Sequence, residues 1–317
     1  MKIKEVKSHI IQYDLKEELG YSQQYYQKRT GHLVEVVTDE GITGWGECFG
    51  PGSVAIANKV IVERVIQPMI LGENPLNRDV LWHKVYNLLR DHGQKGMPIQ
   101  ALSGVDIALW DILGKVTGLS ISRLIGGRFR EQVPVYGYGM MLRREKLPAL
   151  MDRFEDEAAA IKSSGFVATK MKVGLGPKQD VQLAESVRRG VGGDFPFMVD
   201  ANHCYTVDQA LYVGRALEEL DAYWFEEPVA PEDLDGYQEL RSQLTINIAG
   251  GEAEFTRWGW RNLLEKHCLD IAQPEVCALG GISEYLRVLA LAQAHFTQVI
   301  NHVWGSAVAI ATNLQLL

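Results

Sequence analysis

Apolar and polar residues alternate with period two through KIKEVKSHIIQYDL, and again through HLVEVVTDEGITGWGEC. That period puts successive side chains on opposite faces of an extended strand. Asp39-Glu40-Gly41 supplies turn chemistry inside the second run, a hairpin signal. A polar stretch, KEELGYSQQYYQKRTG, separates the two runs. Near Ala55 the spacing becomes helical, through NKVIVERVIQPMILG, DVLWHKVYNLLRDHG and ALSGVDIALWDILGKVTG. In the last of these, Leu102, Val105, Leu109, Ile112 and Leu113 fall at helical spacing. An antiparallel sheet followed by helices predicts an α+β domain over residues 1–130.

From about Val133 the rhythm changes to strand, helix, strand, helix, and residues 131–317 form the second predicted domain. The strand-like segments are PVYGYGM, FVATKMKVG, FPFMVDA, AYWFEEP, TINIAGG, LDIAQPE and TQVINHV, each followed by a helical pattern. Repeated βα units fit a closed barrel or a doubly wound sheet. A doubly wound sheet is expected to carry a Gly-rich phosphate loop after its first strand, and none is present. The fold class predicted is therefore α/β, a TIM-type (β/α) barrel with an N-terminal α+β cap. Seven units are counted where a closed barrel has eight, so the barrel is expected to lack its last strand.

Three of these units end in an acid at equal intervals. Asp200, Glu226 and Glu252 lie 26 residues apart, about the length of one strand, one helix and two loops. Acids after strands often cap the next helix, and for any one of them alone that reading is preferred. Three equally spaced acids at the C-terminal ends of barrel strands instead converge on one point, as hard oxygen ligands for a dication such as Mg²⁺. Lys170 and Lys172, at i and i+2 of the preceding strand, share one face. An exposed edge strand would explain such a pair in isolation. Facing into a barrel, the two repel each other and are desolvated, which is expected to lower the pKa of at least one and suit it as a base. Glu275 and His302 follow adjacent strands, an arrangement in which a carboxylate orients an imidazole. Asn202 and His203, just past Asp200, can bind metal or substrate, or serve the turn.

Bulk properties narrow the remaining choices. The 317 residues suffice for a large core, and the net charge of −8, with no Lys/Arg block, argues against a nucleic-acid partner. No run reaches the roughly 18 apolar residues that a membrane span requires. Cys48, Cys204, Cys268 and Cys277 form no C-x-x-C pair, which fits a reduced, cytoplasmic setting.

Taken in order along the whole chain, K-x-K, D-x-N, E-E-P, G-E, the acid on strand six and the His after strand seven resemble the enolase superfamily, in its mandelate racemase subgroup. RDHGQKGMP, DANHCYTV, WFEEPVAPEDLD, AQPEVCALGGISE and NHVWGS are similar to galactarolactone cycloisomerases and acid-sugar dehydratases. The resemblance implies one Mg²⁺ on Asp200, Glu226 and Glu252, binding the carboxylate of an acid sugar or its lactone. It implies Lys172 and His302 as catalytic groups on opposite faces of the substrate. Lys170 would tune Lys172 or touch the carboxylate, and Glu275 would pair with His302 where the subgroup usually has Asp. An enediolate then either loses a β-oxygen or is reprotonated, as in a racemase or epimerase. A catalytically inactive protein retaining the fold is the reading from another class. Substrate choice is expected in mobile cap loops at residues 21–29 and 48–53, with Tyr21 and Arg29 as contacts, and the chain is expected to form a homo-oligomer.

Overall fold

The computed structural model describes residues 1–317. The cap opens with β1 (Ile3–Tyr21), β2 (Gln24–Thr38) and β3 (Thr43–Cys48), an antiparallel sheet in that order. Residues 21–29, expected as a mobile cap loop, are strand apart from the turn at Ser22 and Gln23. β1 and β2 form one long hairpin, paired out to Tyr21 and Gln24, with a register shift between Asp14 and Leu19. Hydrophobic alternation does not reveal this half of the hairpin, because it extends beyond the cap core and buries only single residues, Gly20 and in part Tyr25, rather than a continuous apolar face. The helices α1 (Val54–Val60), a π-helical segment (Ile61–Ile66), α2 (Gln67–Ile70), α3 (Arg78–Leu89), α4 (Met97–Thr117) and α5 (Ile121–Leu124) follow. Helix α4 lies hard against the sheet. A Cβ on Gly46 would fall 2.0 Å from the Gly104 carbonyl oxygen, so only glycine permits this approach.

The second half alternates strictly: β4 (Gly137–Tyr138), α6 (Leu147–Ser163), β5 (Thr169–Lys172), α7 (Pro177–Val191), β6 (Phe197–Asp200), α8 (Val207–Glu219), β7 (Trp224–Glu226), α9 (Leu234–Gln243), β8 (Asn247–Gly250), α10 (Thr256–Glu265), β9 (Ile271–Ala272), α11 (Gly281–Ala294), β10 (Gln298–Val299) and α12 (Ala307–Leu314). All seven strands are parallel and pair in chain order, from β4 at one edge to β10 at the other. The sheet curls as a barrel wall, with helices outside. Met171, Phe197, Val199, Phe225 and Ile248 point outward into the main apolar core beneath those helices. Met198, Trp224, Ala249 and Ile271 point inward and form a small apolar plug inside the sheet. Period two then directs Lys172, Asp200 and Glu226 inward above that plug, in register on three neighbouring strands.

Cap and barrel meet through buried polar bonds. Asp106 on α4 accepts hydrogen bonds from the Ser283 amide (2.9 Å) and hydroxyl (2.6 Å) at the start of α11. The Trp82 indole donates to the Gly280 carbonyl at 2.8 Å, and the Gly280 amide donates to the Ser103 hydroxyl at 2.9 Å. Asp106 is only 1% exposed. Burial pushes its carboxyl up to about 7, against the opposing pull of the Ser283 hydrogen bonds and Arg78. The folded protein thus retains a proton that the unfolded chain releases near the ordinary carboxyl value of 3.8. Its contribution to stability is present in full below that value and is lost as pH rises toward 7. Asp106→Asn is expected to flatten the denaturant-midpoint profile between pH 4 and 7. Asp106→Ala should lower stability by about 1–3 kcal/mol, because buried donors lose their acceptor. An unchanged profile in Asp106→Asn would contradict this account.

Candidate active site at the barrel mouth

Asp200 and Glu226 end β6 and β7, and Glu252 lies two residues past β8. One carboxylate oxygen from each lies within 4.8 Å of the others. Three converging hard oxygens, two of them on fully buried residues, suit a small hard dication. Other groups fix their orientation. The Trp224 indole and the Gln273 amide each donate to Glu226 Oε2 at 2.9 Å, and the Asn202 amide donates to Asp200 Oδ1 at 3.0 Å. Asn202, His203 and Glu227 have positive φ of 42°, 68° and 43°. Such strain persists only where surrounding structure over-determines it, and it clusters at functional sites.

Lys170 and Lys172 do face inward, but they meet acids rather than each other. Lys170 Nζ lies 2.5 Å from Glu226 Oε1 and 3.4 Å from Asp200 Oδ2. Lys172 pairs with Asp200 Oδ2 and donates to Asn202 Oδ1 at 2.7 Å. The expected lowering of a lysine pKa is therefore corrected. Burial pushes both down, but Glu226 beside Lys170 and Asp200 beside Lys172 outweigh it and raise both. The sequence placed the lysines on one face without revealing that strand register sets each opposite an acid. Asp200 is depressed: burial is overcome by the attraction of Lys172 and Lys170.

Across the mouth, His302 Nδ1 lies 2.8 Å from Glu275 Oε2 and Nε2 lies 2.9 Å from Glu252 Oε2. The longer side chain of Glu275 thus reaches the imidazole. Burial disfavours the imidazolium, yet Glu252 and Glu275 hold the His302 pKa well above its ordinary value. His203 Nε2 lies 3.1 Å from Glu227 Oε2, and both residues sit beside the triad. Burial and then the charge of Glu252 push Glu227 well up.

Lys172, Asn202, His203, Glu252 and His302 border one cavity of about 430 Å³, the size of a small-molecule site. Tyr21 and Arg29 border it from the cap hairpin, together with Trp304. The hairpin tip, expected as a mobile loop, is tied down: the Ser22 hydroxyl and the Gln23 amide donate to the Asn202 carbonyl at 2.9 and 2.8 Å. The second expected loop, residues 48–53, supplies Phe49, whose ring lies 6.2 Å from that of His302.

Sequence reasoning missed Glu47. This buried β3 residue accepts from the Ser306 amide (2.9 Å), the Ser306 hydroxyl (2.6 Å) and the Ala309 amide (2.9 Å). It caps α12 from the other domain and fixes the turn that carries His302 and Trp304. Its only local signal is an acid in an apolar strand, and its partners lie more than 250 residues away.

Fold and site together define a capped (β/α) barrel, with a carboxylate triad flanked by a lysine pair on one side and a Glu–His pair on the other. The chain belongs to the enolase superfamily: residues 15–126 match the mandelate racemase / muconate lactonizing enzyme N-terminal domain, and residues 153–317 match the enolase C-terminal domain-like family. It is 40% identical over 320 residues to a D-galactarolactone cycloisomerase of Agrobacterium fabrum, covering 100% of this chain and 82% of that protein. It is 34% identical over 283 residues to an arabinonate dehydratase of Saccharolobus solfataricus, covering 89% and 74% respectively. The crystal structure of a racemase from Streptomyces coelicolor with bound magnesium superposes with a TM-score of 0.91 at 30% identity, over 99% of this chain and 86% of that one.

Glu47→Ala should lower stability by about 1–3 kcal/mol and speed hydrogen exchange at the amides of residues 306 and 309. Unchanged exchange there would show that Glu47 does not hold the turn.

Proposed function

We propose that the protein removes the proton α to the carboxylate of an acid sugar or its lactone and then expels a β-oxygen, giving dehydration or lactone ring opening. The observation that carries this is that Lys172, His302 and Glu252 border one cavity from different strands, with Asp200 and Glu226 beside them. The named activities of the cycloisomerase and dehydratase relatives support the same reaction class.

Asp200, Glu226 and Glu252 would hold Mg²⁺. Bound there, it would supply Lewis acidity that offsets charge building on the substrate carboxylate, and its charge would weaken the hold of Asp200 that raises Lys172. The chain's own residues do the rest. Neutral Lys172 takes the α-proton onto Nζ, and the electron pair left on the α-carbon passes into an enediolate. When that pair forms the carbon–carbon double bond, the bond to the β-oxygen breaks, and His302 gives that oxygen the proton on Nε2. Glu275, on Nδ1, keeps the ring oriented and favours the imidazolium before transfer. Lys170 stays charged against Glu226 and limits repulsion among the acids. Ordered Asn202 and the cap hairpin shield the reacting face from bulk water.

Proton NMR in D₂O with Mg²⁺ and a panel of acid sugars and their lactones tests this reading. Lys172→Ala is expected to abolish α-proton exchange, a loss of about 10²–10⁴-fold for a general base. His302→Asn should retain exchange but block β-oxygen loss by a similar factor. Exchange with inversion and no elimination would instead indicate racemisation, and full activity in both variants would refute the assignments. Chelation of divalent cations is expected to stop wild-type exchange, and added Mg²⁺ to restore it. Turnover that persists in the chelator would contradict the metal's role.

A further inference from the structure

The three acids of the cluster are not held alike. Asp200 and Glu226 end strands, are fully buried, and take hydrogen bonds from the Asn202 amide, the Trp224 indole and the Gln273 amide. Glu252 is half-buried and lies beyond the end of β8. Its carboxylate has no such donor, and the one cation within 4.0 Å of it is His302. A ligand of this kind is aimed by whatever holds its backbone.

That backbone is a short turn, closed by the Glu254 amide donating to the Gly251 carbonyl at 3.0 Å. Glu254 is 7% exposed, and its carboxylate lies so close to α10 that a Cβ on Gly259 would fall 2.0 Å from Oε1. Oε1 also accepts from the Phe255 amide at 2.7 Å. The cation that meets this carboxylate comes from the cap. Lys95, in the loop between α3 and α4, places Nζ 2.7 Å from Oε1 and 2.9 Å from Oε2. Exposed ion pairs contribute little, and the Lys95 side chain is 60% exposed. This pair differs because its other member is buried, where losing the only cation within 4.0 Å is costly. Further along, Phe255 lies in the cap core and Trp258 stacks on Tyr86 of α3, with ring centroids 4.8 Å apart. Those apolar contacts fix the chain after the turn, and the Lys95–Glu254 pair fixes the turn itself.

We propose that Lys95 is a positioning residue for the carboxylate cluster: through Glu254 it holds the turn that aims Glu252, so that a cap loop sets the affinity of the dication site in the barrel. The inference rests on the proposed reading of the triad as a Mg²⁺ site, but the anchor itself is testable without metal.

Charge and positioning predict opposite signs. Removing a positive charge near a cation site tightens cation binding, whereas loosening a ligand weakens it. Calorimetric titration of Mg²⁺ into the full chain separates the two. Lys95→Met is expected to weaken Mg²⁺ binding about tenfold, and Lys95→Arg, which keeps the cation, to stay within about twofold of wild type. Glu254→Gln should also weaken binding, and Lys95→Met added to it should change nothing further, because both act through one pair. In the metal-free protein, Lys95→Met should speed hydrogen exchange at the Glu254 and Phe255 amides at least about threefold, with exchange in the cap sheet as in wild type. Unchanged or tighter Mg²⁺ binding by Lys95→Met, beside intact wild-type binding, would overturn the positioning role and leave Lys95 as a surface charge. An equal loss from Lys95→Met with and without Glu254→Gln would overturn the route through Glu254. Faster exchange throughout the cap would mark a general loss of packing and overturn the local role. A wild type that binds no Mg²⁺ would refute the metal reading and with it the effect on affinity; faster exchange at residues 254 and 255 in metal-free Lys95→Met would then still support Lys95 as the residue that holds the turn.

Discussion

Burying like charges on adjacent strands is the constraint from which the architecture of this site follows. Asp200 and Glu226 are paired in register at the ends of β6 and β7, and Glu252 joins them from the next strand. Ionised carboxylates this close, inside a protein, are tolerable only with compensating cations. The chain meets this with Lys170 and Lys172 on β5 and with His302 beyond β10. Formally, four carboxylates, counting Glu275, face two ammonium groups and one imidazole. That balance explains why the lysines are raised rather than lowered. The small apolar plug of Met198, Trp224, Ala249 and Ile271 sits directly beneath these groups. The groups that would perform the chemistry are thus the groups that make the folded site electrostatically acceptable.

The second layer of organisation is the way the cap is fastened. Asp106 grips the start of α11, Glu47 grips the start of α12, and Ser22 and Gln23 reach the Asn202 carbonyl. Each bond ends on a barrel segment near the mouth, and the last two end beside His302 and Asp200. The cavity wall is therefore shared between domains, with barrel side chains forming the reacting floor and cap side chains the far wall.

Much of this was legible from the chain itself. The alternation of βα units gave the parallel sheet, and the 26-residue interval singled out Asp200, Glu226 and Glu252, because an interval of one unit translates directly into adjacent strand ends. The i, i+2 spacing of Lys170 and Lys172 gave their common face. Three features were not legible, for physical reasons. The outer half of the β1–β2 hairpin carries no apolar periodicity, so its pairing is recorded only in backbone bonds. The direction of the lysine pKa shifts depends on register between strands, which no local pattern encodes. Glu47 acts across more than 250 residues of sequence, and its neighbours give no hint of the amides it accepts from.

Calorimetric titration of Mg²⁺ into the wild-type protein and Glu226→Gln tests most directly whether the carboxylate cluster is a dication site. The account predicts one ion per chain in the wild type, with binding weakened at least about tenfold by the loss of one charged ligand. Equal binding by both proteins, or none by the wild type, would contradict it.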